Sequence, residues 1–484
     1  MVSPLIFAVL LASVFESSAD LTPQGKIDEL IFANLKRLGI PPANLCSDAV
    51  FLRRAYLDVI GTLPTPQEAA QFLADRDPNK RTALIDRLLD RDEFADYWAM
   101  KWSDLLRVKA EFPINLWPNA AQAYHHWIRA SLRENQPYDR FVREMLTESG
   151  SNFRAPPVNF YRALQRKDPQ AIAQTVALTF MGTRAENWPQ SGLSAMAVFF
   201  SRVGYKYTGE WKEEIVFFDP SKNPAQPASA LFPDGTRARL APDRDPREVF
   251  ADWLIAPRNP WFARNIVNRV WSWLLGRGII HEPDDIRPDN PPSNPELLAF
   301  LESELIASRY DLKHIYRLIL NSKTYQLSSI PKTANPAGAA NFASYPLRRL
   351  DADVLADVLC QVTGTTETYT SAIPEPYTVI PEGQRSISLP DGSITSPFLE
   401  LFGRPPRDTG LESERNNRPS AAQRLHLLNS KIAESPKLRV PVSDLYLLIL
   451  SRYPTDDELK IIAAKGRNDL AWALINTAEF LYRH

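Results

Sequence analysis

The sequence predicts a mainly α fold: two helical domains with a small β-hairpin insertion between them and long Pro-rich loops. Three observations predict it. Capped amphipathic stretches of helical period dominate the first 200 residues. The composition changes abruptly after Gly204. Helical patterning then resumes at Asp245, broken by a proline-punctuated, loop-rich stretch over 331–420. The 484 residues suffice for two or three domains, and 44% hydrophobic with 23% charged residues is too apolar for a disordered chain.

Taken in order, the elements begin with an apolar run from Pro4 to Phe15, too short to span a bilayer and followed by small residues at Ser17 and Ala19. It reads as a signal peptide over 1–19 and predicts an exported protein, periplasmic or extracellular, with no membrane span in the mature chain. In "LTPQGKIDELIFANLKRLG", Thr22 is the expected N-cap, Pro23 the first helical residue and Gly39 the residue just past the end. Ile27, Ile31, Leu35 and Leu38 form its apolar stripe. In "LPTPQEAAQFL", Thr65 caps, Pro66 starts the helix and Glu68 closes a capping box. Further helices are predicted at 47–60, 79–90, 93–108, 118–134, 138–148, 169–182 and 190–203. Trp98 and Trp102 stand one turn apart, the spacing of core residues.

These helices make up a first domain over 24–205. Over 206–244, the β-rich run Ile215 to Phe218 and a "PDGT" turn predict a hairpin connecting the domains. Asp245, Pro246 and Glu248 open a second domain, 245–480, with helices at 260–275, 294–308, 311–321 and 349–363. Ser293 and Glu296 are expected to box the second of these, and Thr455 and Glu458 a later one. "DLAWALINTAEFLYRH" is expected to close the chain as a single amphipathic helix.

Several classes of function are disfavoured at once. With 56 basic against 57 acidic residues and no dense Lys/Arg tract, the chain lacks the footprint of a nucleic-acid binder. No G-x-S-x-G, H-E-x-x-H, P-loop or dinucleotide fingerprint occurs, and Pro283 breaks the helical pattern that "HEPDD" would need. His125 and His126 are adjacent on a helix, so they point about 100° apart and suit no common ion. Two cysteines, Cys46 and Cys360, are too few for a four-thiolate zinc site or a C-x-x-C-H haem attachment. In an oxidising compartment they allow one disulfide, with two buried free thiols as the alternative.

Two loops concentrate charge. In "NRVWSWLLGRGIIHEPDDIRPDNPPSNPELL", Glu282, Asp284, Asp285 and Asp289 follow a helix whose polar side carries Arg264 and Arg269. The spacing does not match an EF-hand. We expect a structural clamp, Asp284 and Asp285 folding back onto Arg264 or Arg269, and no metal site. In 403–418, Arg404, Arg407 and Arg415 alternate with Asp408, Glu412 and Glu414. That pattern is either an oxyanion-binding pocket or a salt-bridge network holding an irregular loop. A hydrolase would need carboxylates converging from both loops, with Asp284, Asp285, Glu412 and Glu414 as the candidates.

"FLRRAYLDVIGTLPT", the acidic segment above, "FGRPPRDTGLESERNNRPSAAQRLHLLNS" and the terminal stretch together resemble an exported planctomycete-type family. Its members consist of two consecutive domains of unknown function, numbered 1549 and 1553, and many also carry a planctomycete-type cytochrome c domain. Many relatives have a C-x-x-C-H element before a helix ending in Phe-Phe-x-Arg-Val, and a Cys-x-Cys before Glu-Arg. Here the helix ending is kept in Phe199, Phe200, Arg202 and Val203, but "AENWPQ" replaces the first element and Leu411 and Ser413 the second. The resemblance thus implies a shared metal or redox site in relatives whose thiolates and imidazole this chain lacks, so no haem and no other cofactor is expected. Asn187 and Trp188, in the replacing loop, join Arg404, Arg407 and Arg415 as candidate binding residues, Trp188 as a ring for glycan stacking. Two function classes follow. One is a binding or assembly protein acting with other exported proteins, in a setting of polysaccharide breakdown that the resemblance suggests. The other is a carboxylate-based hydrolase of a complex polysaccharide.

Overall fold

The structure is a computed structural model that describes residues 21–222, 230–241, 243–430, 434–466 and 469–484. The segment 1–19, read as a signal peptide, lies outside them. No helix among the described residues is long and apolar enough to cross a membrane.

The first half is built from α1 (Lys26–Arg37), α2 (Asp48–Val59), α3 (Pro66–Ala74), α4 (Lys80–Asp90) and α5 (Asp92–Leu105). It continues with α6 (Pro118–Arg133), α7 (Tyr138–Thr147), α8 (Pro169–Val176) and α9 (Gln190–Ala197). Thr65 caps α3 in the predicted box, accepting from Glu68 N while the Glu68 carboxylate accepts from Thr65 N. The first helix starts later than expected, after Gly25 rather than after Thr22. Asp28 accepts from Gln24 N at 3.1 Å, which holds the preceding residues out of the helix.

Three strands, β1 (Gly150–Ser151), β2 (Val203–Tyr207) and β3 (Glu214–Phe218), pair antiparallel in the order β1-β3-β2. The hairpin therefore begins earlier than the sequence suggested. The ninth helix gives way to a short 3-10 turn at Val198–Phe200, and β2 follows at Val203. The "PDGT" turn supports only an isolated bridge between Leu231 and Arg237.

The second half contains α10 (Pro246–Leu254), α11 (Phe262–Leu275), α12 (Pro295–Ala307), α13 (Leu312–Asn321), α14 (Pro336–Ala340) and α15 (Ala352–Thr363). After a long irregular stretch come α16 (Pro397–Leu401), α17 (Ala421–Asn429), α18 (Val442–Leu450), α19 (Asp456–Lys465), α20 (Leu470–Ile475) and α21 (Ala478–Leu481). Asn294, not Ser293, caps α12, accepting from Leu297 N. The terminal stretch is two short helices rather than one. Thr477 accepts from Phe480 N and so restarts the helix, and the chain ends extended as β5 (Tyr482–Arg483) against β4 (Arg348–Arg349).

One cluster of buried apolar side chains runs from Ile27 to Phe480 and joins the two halves. Trp98 and Trp102 do face the core, as their spacing predicted, and their partners come from the other half. Trp98 lies 5.3 Å from Trp273 on α11 and 4.5 Å from Tyr316 on α13, ring centre to ring centre. The "FLRRAYLD" segment explains itself in the same way. Buried Arg53 donates to the carbonyls of Ile449 and Phe480, and Arg54 to those of Tyr325 and His484. Asp58, one turn on, accepts from the hydroxyls of Tyr325 and Tyr345 and pairs with Arg483 at 3.0 Å. Cys46 and Cys360 are both free thiols, so the disulfide that the pair allowed is not formed. Cys46 is tied to the 326–327 segment before α2, whereas Cys360 faces outward from α15.

Candidate functional site

The acidic loop turns on Arg269. Both Arg269 and Asp284 are almost fully buried, and the guanidinium donates to the carboxylate at 2.8 Å. The second Asp284 oxygen accepts from Glu412 N at 2.7 Å, and Glu412 in turn accepts from Trp273 Nε1. Glu412 also lies 3.7 Å from Arg269. Burial raises the Glu412 carboxyl, against the pull of Arg269 and Lys101. The two charged loops are therefore joined. The clamp does not extend to Arg264, which pairs with Glu302 on α12, or to Asp285, which pairs with Arg287. Gly182 fits beneath this loop because it has no Cβ: at φ 63° a methyl group would sit 2.5 Å from Asn265 Oδ1.

The arginines of 403–418 are turned inward. Arg407 and Arg415 pair with Asp104 on α5 at 2.9 and 2.7 Å, and Arg404 and Arg415 pair with Asp353 at the start of α15 at 3.0 and 2.7 Å. Lys101 and Arg483 converge on Asp351. Burial alone would raise the Asp351 carboxyl; Lys101, Arg483 and Arg415 outweigh it and hold the group well below the usual range. Arg404, Arg407 and Arg415 thus brace the loop between α5 and α15. Glu414 accepts from the backbone of Asp408 and Thr409. Trp188 is half-buried against the core rather than a free ring, and Asn187 is exposed.

The 185–190 and 411–413 stretches border one segment. Gly182 O accepts from Ile286 N, Arg184 pairs with Glu282, and the 411–413 turn is tied to Asp284 through Glu412 N. The residues there (Ala185, Glu186, Asn187, Trp188, Leu411, Ser413) offer no thiolate or imidazole of the kind that ligates haem iron or an iron–sulfur cluster. Among the described residues, no three His, Cys, Asp or Glu side chains are grouped to hold a metal ion.

A cleft of about 320 Å³ opens elsewhere, between the first turns of α3 and α5 on one side and α15 with the 365–385 loop on the other. Helical spacing puts Asp357, Cys360 and Gln361 on the facing side of α15. Gln361 bridges the walls: it accepts from the Thr62 hydroxyl at 2.8 Å and donates to Leu63 O at 2.9 Å. Opposite stand Glu68, Arg91 and Glu93, with Arg91 pairing to both acids. The loop adds Thr365, Thr366, Glu367, Tyr369, Gln384 and Arg385. Asp357 is buried at the floor, accepting from Ser386 N and Ile387 N, with Arg385 Nε at 3.4 Å. Burial pushes its carboxyl up to about 6 despite Arg385. Burial likewise pushes the Cys360 thiol up to about 11, so it is not a thiolate nucleophile at neutral pH. Asp357 carried one signal in the sequence, a lone acid inside an apolar helix turn; Arg385, in an irregular loop, carried none.

The comparisons fit this arrangement. Residues 26–194 match the family described as PSCyt2, "Protein of unknown function (DUF1549)", and residues 246–465 match PSD1, "Protein of unknown function (DUF1553)". The chain belongs to the planctomycete-type two-domain family. No curated protein and no solved structure matches it. In this member of the planctomycete-type family, the cleft draws one wall from each matched segment: Thr62 to Glu93 from the first, Asp357 to Arg385 from the second.

Proposed function

We propose that the protein is an exported binding or assembly component, free of haem, that holds a polar, hydroxyl-rich ligand in the cleft and works beside other exported proteins in the handling of complex polysaccharides. The observation that carries this reading is the lining of the cleft. Amide and hydroxyl groups (Thr62, Thr365, Thr366, Gln361, Gln384) sit among two arginines (Arg91, Arg385) and four carboxylates (Glu68, Glu93, Asp357, Glu367), a surface that suits neutral polyhydroxylated ligands better than anions or lipids. Support for a non-catalytic role comes from the loops that a hydrolase would have used, since Asp284 and Glu412 are engaged by Arg269 and Trp273. Export rests on the N-terminal apolar run, and the polysaccharide setting on the family resemblance. Titration calorimetry with a panel of neutral oligosaccharides tests the reading. Saturable one-to-one binding, weakened about tenfold by Arg385→Ala, supports it. Turnover of any of these sugars by the isolated protein overturns it.

One observation favours the second reading, a carboxylate-based hydrolase. A buried carboxyl held near 6 in a cleft has the acidity that a general acid needs. On that reading Asp357→Asn abolishes sugar hydrolysis while leaving oligosaccharide binding intact; hydrolysis that survives the substitution removes Asp357 from the role.

A further inference from the structure

We propose that Trp117, Trp211 and Tyr377 form a stacking platform for the sugar rings of a neutral polysaccharide chain. The three rings come from separate segments. Trp117 ends the loop before α6, Trp211 stands at the tip of the β2–β3 hairpin, and Tyr377 belongs to the long loop after α15. They nevertheless meet: the ring centres of Trp117 and Trp211 are 5.4 Å apart, those of Trp117 and Tyr377 5.6 Å, and those of Trp211 and Tyr377 5.3 Å. Trp211 and Tyr377 cross at 80°, so one ring makes a floor and the other a wall. Both are open to solvent, Trp211 at 59% and Tyr377 at 43% exposure. Converging aromatic rings left uncovered on a surface mark a binding site rather than a packing need.

The platform is held in place by the backbone. Trp117 and Lys212 both lie in the left-handed region, at φ 74° and 63°, a conformation that neither residue type adopts freely. Lys212 O is fixed by Asn152 Nδ2, and Glu111 ties two of the loops by accepting from Ala372 N and the Ser371 hydroxyl. The Lys212 ammonium lies over the Trp117 ring at 4.9 Å, so its charge is already partnered.

Charge selects the occupant. The three segments (111–117, 207–213 and 371–380) carry four carboxylates (Glu111, Glu210, Glu213, Glu375) against the ammonium of Lys212, with the Arg154 guanidinium 3.8 Å from Glu210 and 4.0 Å from Glu213, so the patch stays net acidic. That balance repels nucleic acid, anionic membranes and acidic polysaccharides. Exposed Asn115, Glu210 and Glu375 at the rim offer acceptors to sugar hydroxyls, while the rings cover the apolar C–H face of a pyranose. A platform of this kind holds a chain without reading its sequence, as aromatic platforms do for stacked bases. It shares no residue with the cleft, so its failure leaves the cleft reading standing.

Affinity electrophoresis of the full chain in gels containing galactomannan, xylan or hydroxyethylcellulose tests it, with alginate and dextran sulfate as acidic comparators. The expected result is retardation by at least one neutral polymer. Trp211→Ala and Tyr377→Ala should each raise the apparent dissociation constant about tenfold, with an unchanged unfolding midpoint, and Trp472→Ala, an exposed ring on α20, should leave it unchanged. No retardation by any neutral polymer overturns the proposal. So does retardation by the acidic polymers alone, binding that survives both substitutions, or Trp211-dependent capture of a protein with no glycan retention.

Discussion

Asp284 shows what one buried charge does in this chain. Its two oxygens hold Arg269 on one side and the 412 backbone on the other, so removing it leaves a buried guanidinium uncompensated and frees the arginine-rich loop. Asp284→Ala should destabilise the protein by about 3–5 kcal/mol, read from urea unfolding; a loss under 1 kcal/mol would mean that the clamp contributes little. Asp357 behaves oppositely. Its folded value of about 6 lies above the roughly 3.9 of an unfolded aspartate, so the folded state binds the extra proton between those values. Stability therefore falls as pH rises from about 4 to 6, by on the order of 3 kcal/mol, and Asp357→Asn should flatten that part of the profile. Asp351 and Asp353 are both held low, so their contribution stands at neutral pH and is lost only as pH falls below about 4.

At the level of elements, the sequence was most informative where a local signal decides the outcome. The capping boxes at Thr65 and Thr455 and the left-handed Gly276 after α11 depend on neighbours a few residues away. Thr65→Ala should accordingly cost about 1 kcal/mol in thermal unfolding without altering the fold. Elements fixed from a distance were read less well. The terminal stretch has helical period throughout, yet its last residues become β5 because Arg483 reaches Asp58 and Asp351 across the molecule. The site followed the same rule. The acidic and arginine loops were visible as dense charge, but which arginine meets which acid depends on Asp104 of α5, Arg269 of α11 and Asp353 of α15 being brought to the two loops from distant parts of the chain. Asp357 and Arg385 come together only through tertiary packing.

For the whole molecule, the two family segments are units of sequence more than of stability. Their apolar side chains form one cluster, and buried polar ties such as Asp28 to Thr324 and Arg53 to Ile449 cross between them. A single cooperative unfolding transition is expected for the full chain, and residues 21–241 expressed alone should lack one by calorimetry. The same interlocking explains why the cleft needs both segments: Gln361 fastens α15 to the 62–63 turn, and that bond sets the distance between the walls. The proposed ligand would therefore be felt on both sides at once. Hydrogen–deuterium exchange of the full chain, with and without saturating neutral oligosaccharide, tests this most directly. Protection appearing together in 62–68, 357–369 and 383–385 is the predicted result. Protection confined to one of these segments, or absent from all three while sugar is bound, would contradict it.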